Sequence, residues 1–202
     1  MGIVLAIKNV NIVEKPKGKV LQLVDKHYPQ RDSRALSITK IAEHQAVIKC
    51  INELLGHETW WIEHENSGSP VIFVEGIPSH WSISISHAVD NTGKHHHIAY
   101  AAVILREGES RIKDQIGIDI VVKGDVRLDR IASRVMGKEE LEDGRLEEIW
   151  ACKEAMFKAL GPGLDFVKDL KVDFISEDLL TGMGRKWAVK REDKVVVVFG
   201  PV

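Results

Sequence analysis

Hydrophobic and polar positions alternate along the chain with spacings that predict helices and strands. Apolar residues recur with a helical period from Ile38 to Leu55 and stop at Gly56, which predicts an amphipathic helix ended by glycine. Runs rich in β-branched residues predict strands at the start of the chain and at 71–74, 82–86, 98–105 and 116–122. Two further helices are predicted at 128–141 and 145–160. A closing hairpin is predicted from strands at 187–189 and 194–199. Each half therefore combines helix with antiparallel strands, and the predicted fold class is α+β.

A polar, glycine-containing stretch at 106–115 separates the two patterned regions. We predict a boundary there between two lobes, 1–108 and 109–202, with the candidate chemistry concentrated in the second. No close sequence repeat links the halves, so the order of elements permits a duplicated architecture without showing it.

Composition and charge narrow the classes of function. The chain of 202 residues is 44% hydrophobic and 29% charged, as expected of a globular protein, and its formal net charge is -2. Neither sign of charge dominates and no long basic block occurs, so we expect no nucleic-acid or membrane partner. The two cysteines, Cys50 and Cys152, lie in apolar segments, which favours buried thiols over a disulfide. The apolar stretch at the start of the chain is too short for a secretory core, and the expected compartment is the cytoplasm.

The most informative segment is the predicted helix that contains residues 150–161. Its alanine, cysteine, methionine and leucine positions cover most of the circumference, so the helix is expected to be largely buried. Five bulky or charged residues nevertheless share one stripe: Trp150, Lys153, Glu154, Phe157 and Lys158. Charge in an apolar surround is unfavourable, so these groups either pair with each other, face a water-filled cleft or meet a charged ligand. A solvated pair between Glu154 and Lys158 is the simplest of these alternatives.

Asp119 lies in the middle of the predicted strand at 116–122. The β-branched residues of this strand occupy both faces, which predicts a central strand, and aspartate is a poor strand former. Alternation places Asp119 beside Gly117 and Val121, where a carboxylate next to a small residue suits a hard cation such as Mg²⁺. A carboxylate that accepts backbone N–H groups or pairs with a lysine explains the same pattern.

Ser82, Ser84 and Ser86 alternate with isoleucines in a half-buried strand that is predicted to end at His87. A strand end would present the hydroxyl of Ser86 and the imidazole of His87 together, as a ligand contact. A turn cap and a structural histidine are the alternatives.

Three motifs in this order resemble the phosphopantetheinyl transferase superfamily: Ser-Ile-Ser-His87, Ile-Gly-Ile-Asp-Ile120, and Trp-Ala-Cys-Lys-Glu-Ala155 with Lys158 and Gly161. Their spacing is similar to that of the monomeric, two-lobed type that activates surfactin synthetase, and the resemblance covers about Ile38 to Gly163. It implies two similar α+β lobes related by a pseudo-twofold, with coenzyme A and Mg²⁺ in the cleft between them. The implied reaction moves the 4'-phosphopantetheine group from coenzyme A to a serine of an acyl or peptidyl carrier protein and releases 3',5'-ADP.

The resemblance also implies the roles of the catalytic residues. Asp119 and Glu154 would bind Mg²⁺, with Mn²⁺ as a possible substitute, and Lys158 would contact phosphate and stabilise the leaving group. A divalent cation and a lysine can offset the charge that builds up on the phosphoryl group. Either Glu154 or a metal-bound water would accept the serine proton.

The residues implied to bind coenzyme A are Ser86, His87, Lys153 and Lys158, with Lys40 as a weaker candidate for the 3'-phosphate. For Lys40, a solvated helix face is the alternative.

The chain departs from the family pattern at two positions. Val121 stands where many members place a third carboxylate, and Ser69 replaces a basic residue in a turn near the adenine. Weaker binding of the metal and of coenzyme A is therefore expected. Two rival hypotheses follow: a homologue that binds coenzyme A or a carrier protein without turnover, and an unrelated metal-dependent phosphohydrolase.

Overall fold

The computed structural model describes residues 2–56, 59–90, 97–108 and 115–202. The chain divides into two compact units, Ile3–Asp114 and Gln115–Val202. Each unit contains helices and antiparallel sheet, so the predicted α+β class is confirmed. Part of the predicted polar boundary, 109–114, lies outside the described residues. The division at residue 108 and the pseudo-twofold stay predictions.

Among its described residues, the first unit contains two three-stranded sheets, two α-helices and a 3-10 helix at Ser33–Ala35. Its elements are β1 (Ile3–Asn11), α1 (Gly18–His27), α2 (Ile38–Leu55), β2 (Trp60–His64), β3 (Pro70–Val74), β4 (Ile77–Pro78), β5 (Trp81–Asp90) and β6 (Ile98–Glu107). The strands are ordered β1-β6-β5 in one sheet and β2-β3-β4 in the other, and all pairs are antiparallel.

Helix α2 begins and ends where the sequence predicts. The side chain of Ser37 accepts a hydrogen bond from the backbone N–H of Lys40 at 3.2 Å, which satisfies a free donor of the first turn. At the other end Gly56 has a φ of 64°, a left-handed conformation that glycine adopts without a steric penalty. Between these caps, Ala46, Ile48 and Ile51 are almost fully buried and join the core of the first unit.

The second unit contains one five-stranded sheet and three helices. Its elements are β7 (Gly117–Val122), α3 (Val126–Val135), α4 (Lys138–Asp143), α5 (Leu146–Leu160), β8 (Asp173–Ser176), β9 (Leu179–Gly182), β10 (Arg185–Arg191) and β11 (Val195–Gly200). The antiparallel order is β7-β11-β10-β9-β8. The single helix predicted at 128–141 is wrong, because the chain is extended at Met136 and Gly137 and α4 starts anew.

The prediction that Asp119 lies in a central strand is also wrong. β7 is the first strand in the order of its sheet and pairs with β11. All six residues of β7 are nevertheless buried. A continuous apolar run reports burial of both faces of a strand, whereas its position in the sheet depends on hydrogen bonds along its two edges.

Candidate functional site

Asp119 lies on the face of β7 that packs against α5. A Cβ built on Gly117, two residues earlier on the same face, would lie 1.8 Å from the backbone oxygen of Ala155 in α5. A glycine is therefore required at residue 117 for this strand and helix to approach so closely. Val121, two residues after Asp119, is 7% exposed and joins the core of the second unit. Gly117, the small residue predicted to make room for a cation beside Asp119, thus allows α5 to pack against β7.

Lys158, near the end of α5, binds the carboxylate of Asp119. Its Nζ donates to Oδ1 of Asp119 at 2.7 Å and to the backbone oxygen of Ile118 at 3.0 Å. The side chain of Asp119 is 10% exposed and that of Lys158 is 29% exposed. The carboxylate is therefore held inside the unit, and the ammonium group lies between it and solvent.

Glu154 lies one helical turn before Lys158 and takes no part in this ion pair. No residue that the structure describes forms a hydrogen bond or an ion pair with the Glu154 carboxylate. Burial raises the pKa of Glu154, the negative charge of Asp119 raises it further, and Lys158 opposes both effects. Lys158 therefore pairs with Asp119 and not with Glu154 as predicted. The Glu154 carboxylate is a second anionic group at the same place, where a cation would be favourable.

Lys153 does not share a surface with Glu154 and Lys158. Its side chain is fully buried, and its Nζ lies 2.7 Å from Oε2 of Glu140 and 2.5 Å from the backbone oxygen of Phe166. Glu140 in turn accepts the backbone N–H groups of Gly137 and Val172. This buried network compensates the charge of Lys153 and ties α4 to α5, a placement that does not favour the predicted contact with coenzyme A.

The predicted grouping of Ser86 with His87 at a strand end is wrong, because β5 continues to Asp90. Successive strand residues point to opposite faces, so the hydroxyl and the imidazole diverge. Ser86 is 5% exposed, whereas the His87 side chain is 38% exposed. His87 shares its face with Ile83 and Ile85, which pack on the core of the first unit.

The structure adds Glu43 to the candidate residues of the first unit. The Glu43 carboxylate lies 2.6 Å from Nζ of Lys40 and 3.4 Å from Nδ1 of His87. Burial raises the pKa of Glu43, but hydrogen bonds and charges from His87 and Lys40 outweigh it and lower the pKa to about 2. The sequence signal that could have found it is a charged residue next to Ala42 within the buried part of α2.

The second unit matches a family model. Residues 115–191 match the model of the 4'-phosphopantetheinyl transferase superfamily. The matched segment contains Asp119, Glu154 and Lys158, and the match supports a transferase function in phosphopantetheine chemistry. No curated protein and no solved structure matches the chain. Within the described ranges, no helix is both long and apolar enough to cross a membrane.

The donor set fits a magnesium ion that has few protein ligands. In the part of the chain that the structure describes, no three His, Cys, Asp or Glu residues are grouped to hold a metal ion. Asp119 and Glu154 are close enough for the charge of one to raise the pKa of the other, and an ammonium group already binds Asp119. Mg²⁺ commonly takes one or two carboxylates and completes its shell with substrate phosphate and water. The two carboxylates therefore suffice for such an ion.

Proposed function

We propose that the protein transfers the 4'-phosphopantetheine group of coenzyme A to a serine of an acyl or peptidyl carrier protein, with release of 3',5'-ADP. The observation that carries this proposal is the arrangement of Asp119, Glu154 and Lys158 in the segment that matches the superfamily model. A metal ion held by carboxylates and a lysine are groups that stabilise the charge of a transferring phosphoryl group.

In the proposed reaction the serine hydroxyl attacks the β-phosphorus of coenzyme A. The new bond joins the serine oxygen to phosphorus, and the bond from phosphorus to the oxygen of 3',5'-ADP breaks. Mg²⁺ held by Asp119 and Glu154 would offset negative charge on the phosphoryl oxygens. Lys158 supplies a second positive charge, and its partly exposed ammonium group is within reach of a ligand at Asp119.

The serine proton requires an acceptor, and Glu154 is the candidate that the chain itself provides. Burial raises the pKa of Glu154, which favours its carboxylate as a proton acceptor while no metal ion is bound to it. Mg²⁺ on the same carboxylate would lower that pKa, and a water on the ion would then be the alternative acceptor. A pH–rate profile that loses its acidic limb in Glu154→Gln would support this role.

Lys40 and His87 are the proposed contacts to the phosphates of coenzyme A in the first unit. Both side chains are accessible, at 48% and 38% exposure, and both carry or accept a positive charge. Ser86 and Lys153 are less suitable as direct contacts because their side chains are buried.

The decisive experiment is the intact mass of an apo carrier protein after incubation with the protein, coenzyme A and Mg²⁺ or Mn²⁺. We expect a gain of one phosphopantetheine, lost with Glu154→Gln and retained with Glu142→Gln. Glu142 is a suitable control because it is an exposed carboxylate on α4 that pairs with Lys138. Full activity of Glu154→Gln would show that the proposed site is wrong.

A second candidate function is a homologue that binds coenzyme A or a carrier protein without turnover. It is favoured by the ion pair of Lys158 with Asp119, with which a metal ion must compete, and by the buried Val121 in place of a third carboxylate. Binding of coenzyme A without any mass gain at saturating Mg²⁺ or Mn²⁺ would support it. Release of 3',5'-ADP without an acceptor would instead indicate a phosphohydrolase.

Several broader properties belong to the same proposal. A monomeric, cytoplasmic enzyme with no nucleic-acid or membrane partner is what the resemblance and composition favour. Sedimentation of the purified protein tests the monomer, and a trimer would contradict it.

A further inference from the structure

His87 lies beside a carboxylate that none of the sequence motifs includes. Oε1 of Glu43 is 3.4 Å from Nδ1 of His87, and Oε2 of the same carboxylate is 2.6 Å from Nζ of Lys40. The Glu43 side chain is only 8% exposed, whereas its two partners keep more than a third of their side-chain surface. A buried anion thus holds two groups that stay accessible to a ligand.

The position of Glu43 is fixed by α2. Its neighbours Ala42 and Ala46 pack into the core of the first unit, so the helix face that carries Glu43 is turned toward the sheet that contains His87. The lowered pKa of Glu43, about 2, keeps the carboxylate ionised at any physiological pH. It therefore offers the imidazole an ionised acceptor 3.4 Å from Nδ1.

We propose that Glu43 is a positioning residue for His87: it accepts a hydrogen bond from Nδ1–H and so directs the other ring nitrogen, which donates as Nε2–H in the imidazolium form, toward a phosphate of coenzyme A. The inference rests on the proposed function. The two ring nitrogens lie on different sides of the imidazole, so an acceptor fixed at Nδ1 sets the ring orientation. A phosphate oxygen only accepts hydrogen bonds, so His87 binds it with a hydrogen on both ring nitrogens.

The other titratable groups near His87 do not replace Glu43 in this role. His44, the next residue of α2, is 7% exposed and stacks on Tyr28 at 4.2 Å. Burial, followed by the charges of Arg31, His87 and Lys40, lowers the pKa of His44 to about 4, so it is neutral at physiological pH. Lys40 offers only donors.

The first test is the tautomer of neutral His87, read from long-range ¹H–¹⁵N NMR correlations of the imidazole. We expect the Nδ1–H form in the parent protein and a shift toward the Nε2–H form in Glu43→Met. Glu53→Met is the matched control, because Glu53 is a more exposed carboxylate on the same helix that pairs with Lys8. An unchanged tautomer in Glu43→Met would overturn the proposal.

The second test separates binding from turnover in steady-state kinetics. We expect the KM for coenzyme A to rise about tenfold in Glu43→Met while kcat changes less than about twofold, because the proposed contact of His87 is made to the bound substrate and not to the attacking serine. Glu43→Gln, which keeps an acceptor without the charge, should retain the tautomer and recover part of the KM effect.

The two tests fail in different ways. A shifted tautomer with an unchanged KM would overturn the link to coenzyme A. If the parent protein transfers nothing, the proposed function fails, and the NMR measurement still decides whether Glu43 positions His87. A parent protein in the Nε2–H form would refute the positioning role, whatever the activity.

Discussion

The two units hold buried carboxylates in opposite electrostatic surroundings. In the first unit Glu43 lies between Lys40 and His87, so one carboxylate meets an ammonium group and an imidazole. In the second unit Lys158 binds Asp119 and acts on Glu154 only through its charge, so two carboxylates lie near one cation. Burial acts in the same direction on Glu43 and Glu154, yet the pKa of Glu43 is lowered and that of Glu154 is raised.

This difference shows that partners, and not burial, decide which ligand each cluster suits. The first cluster presents N–H donors of Lys40 and His87 beside a single carboxylate and fits an anion such as a phosphate. The second has a surplus of negative charge and fits a metal cation. A reaction on a phosphate ester uses groups that bind phosphate and groups that bind a metal cation, so the difference between the two clusters agrees with the proposed function.

The largest effect is expected from Asp119→Asn, which leaves Glu154 as the remaining carboxylate beside Lys158. Transfer should fall about a thousandfold, or ~4 kcal/mol of transition-state stabilisation, because the metal site and the Lys158 contact are both altered. Mass spectrometry of the carrier protein under single-turnover conditions measures this. Asp129→Asn, on an exposed part of α3, should behave as the parent. Equal losses in both variants would contradict the assignment.

Next in size is Gly117→Ala, which separates β7 from α5 and so disrupts the second cluster alone. The added Cβ would meet the backbone of Ala155 at 1.8 Å, and we expect ~3 kcal/mol of destabilisation. Chemical denaturation gives the free energy of unfolding. Gly18→Ala, at the start of α1 with no atom within 4 Å of the new Cβ, is the control and should be nearly neutral. A stable Gly117→Ala protein would argue against the close packing.

An effect of intermediate size is expected of Glu43 on the free energy of unfolding as the pH is lowered. The pKa of Glu43 is lower in the folded protein than in the unfolded chain, so ionised Glu43 stabilises the folded protein above about pH 4.5. This contribution is lost as the pH falls toward about 2. Glu43→Gln should therefore lower the free energy of unfolding by about 2 kcal/mol at neutral pH and by much less at about pH 3. Denaturation of both proteins at the two pH values measures it. A deficit independent of pH would point to packing.

The smallest effect is expected from Glu154→Gln, with the opposite sign. Because the folded pKa of Glu154 is raised, its ionised form destabilises the folded protein once the pH exceeds the usual glutamate pKa. The variant should be more stable than the parent at neutral pH, and the gain should vanish in acid. Thermal unfolding with and without Mg²⁺ adds a check, since Mg²⁺ should stabilise the parent more than the variant. A variant less stable than the parent at neutral pH would remove the contrast with Glu43.

Much of the secondary structure followed from the sequence, with losses where the signals are short. The period from Ile38 to Leu55 and the Gly56 stop predict α2 with its observed ends. The short strands β8 and β9 and the helix α1 were not predicted, because four-residue strands and clustered apolar residues give no clear period. The break at Gly137 was missed because the apolar pattern continues across it.

For the candidate site, the sequence by itself determined which residues carry charge within apolar segments, namely Asp119, Glu154 and Lys158. It also carried the family resemblance that groups these three residues. Only the tertiary structure decided their partners. Lys158 reaches Asp119 because Gly117 lets α5 approach β7, and Lys153 turns to Glu140 because α4 packs beside it. Glu43 gained its role in the same way, from a strand that follows it by some forty residues in the chain. Periodicity reports which face of an element is buried, whereas the identity of a partner depends on contacts between elements that are distant in sequence.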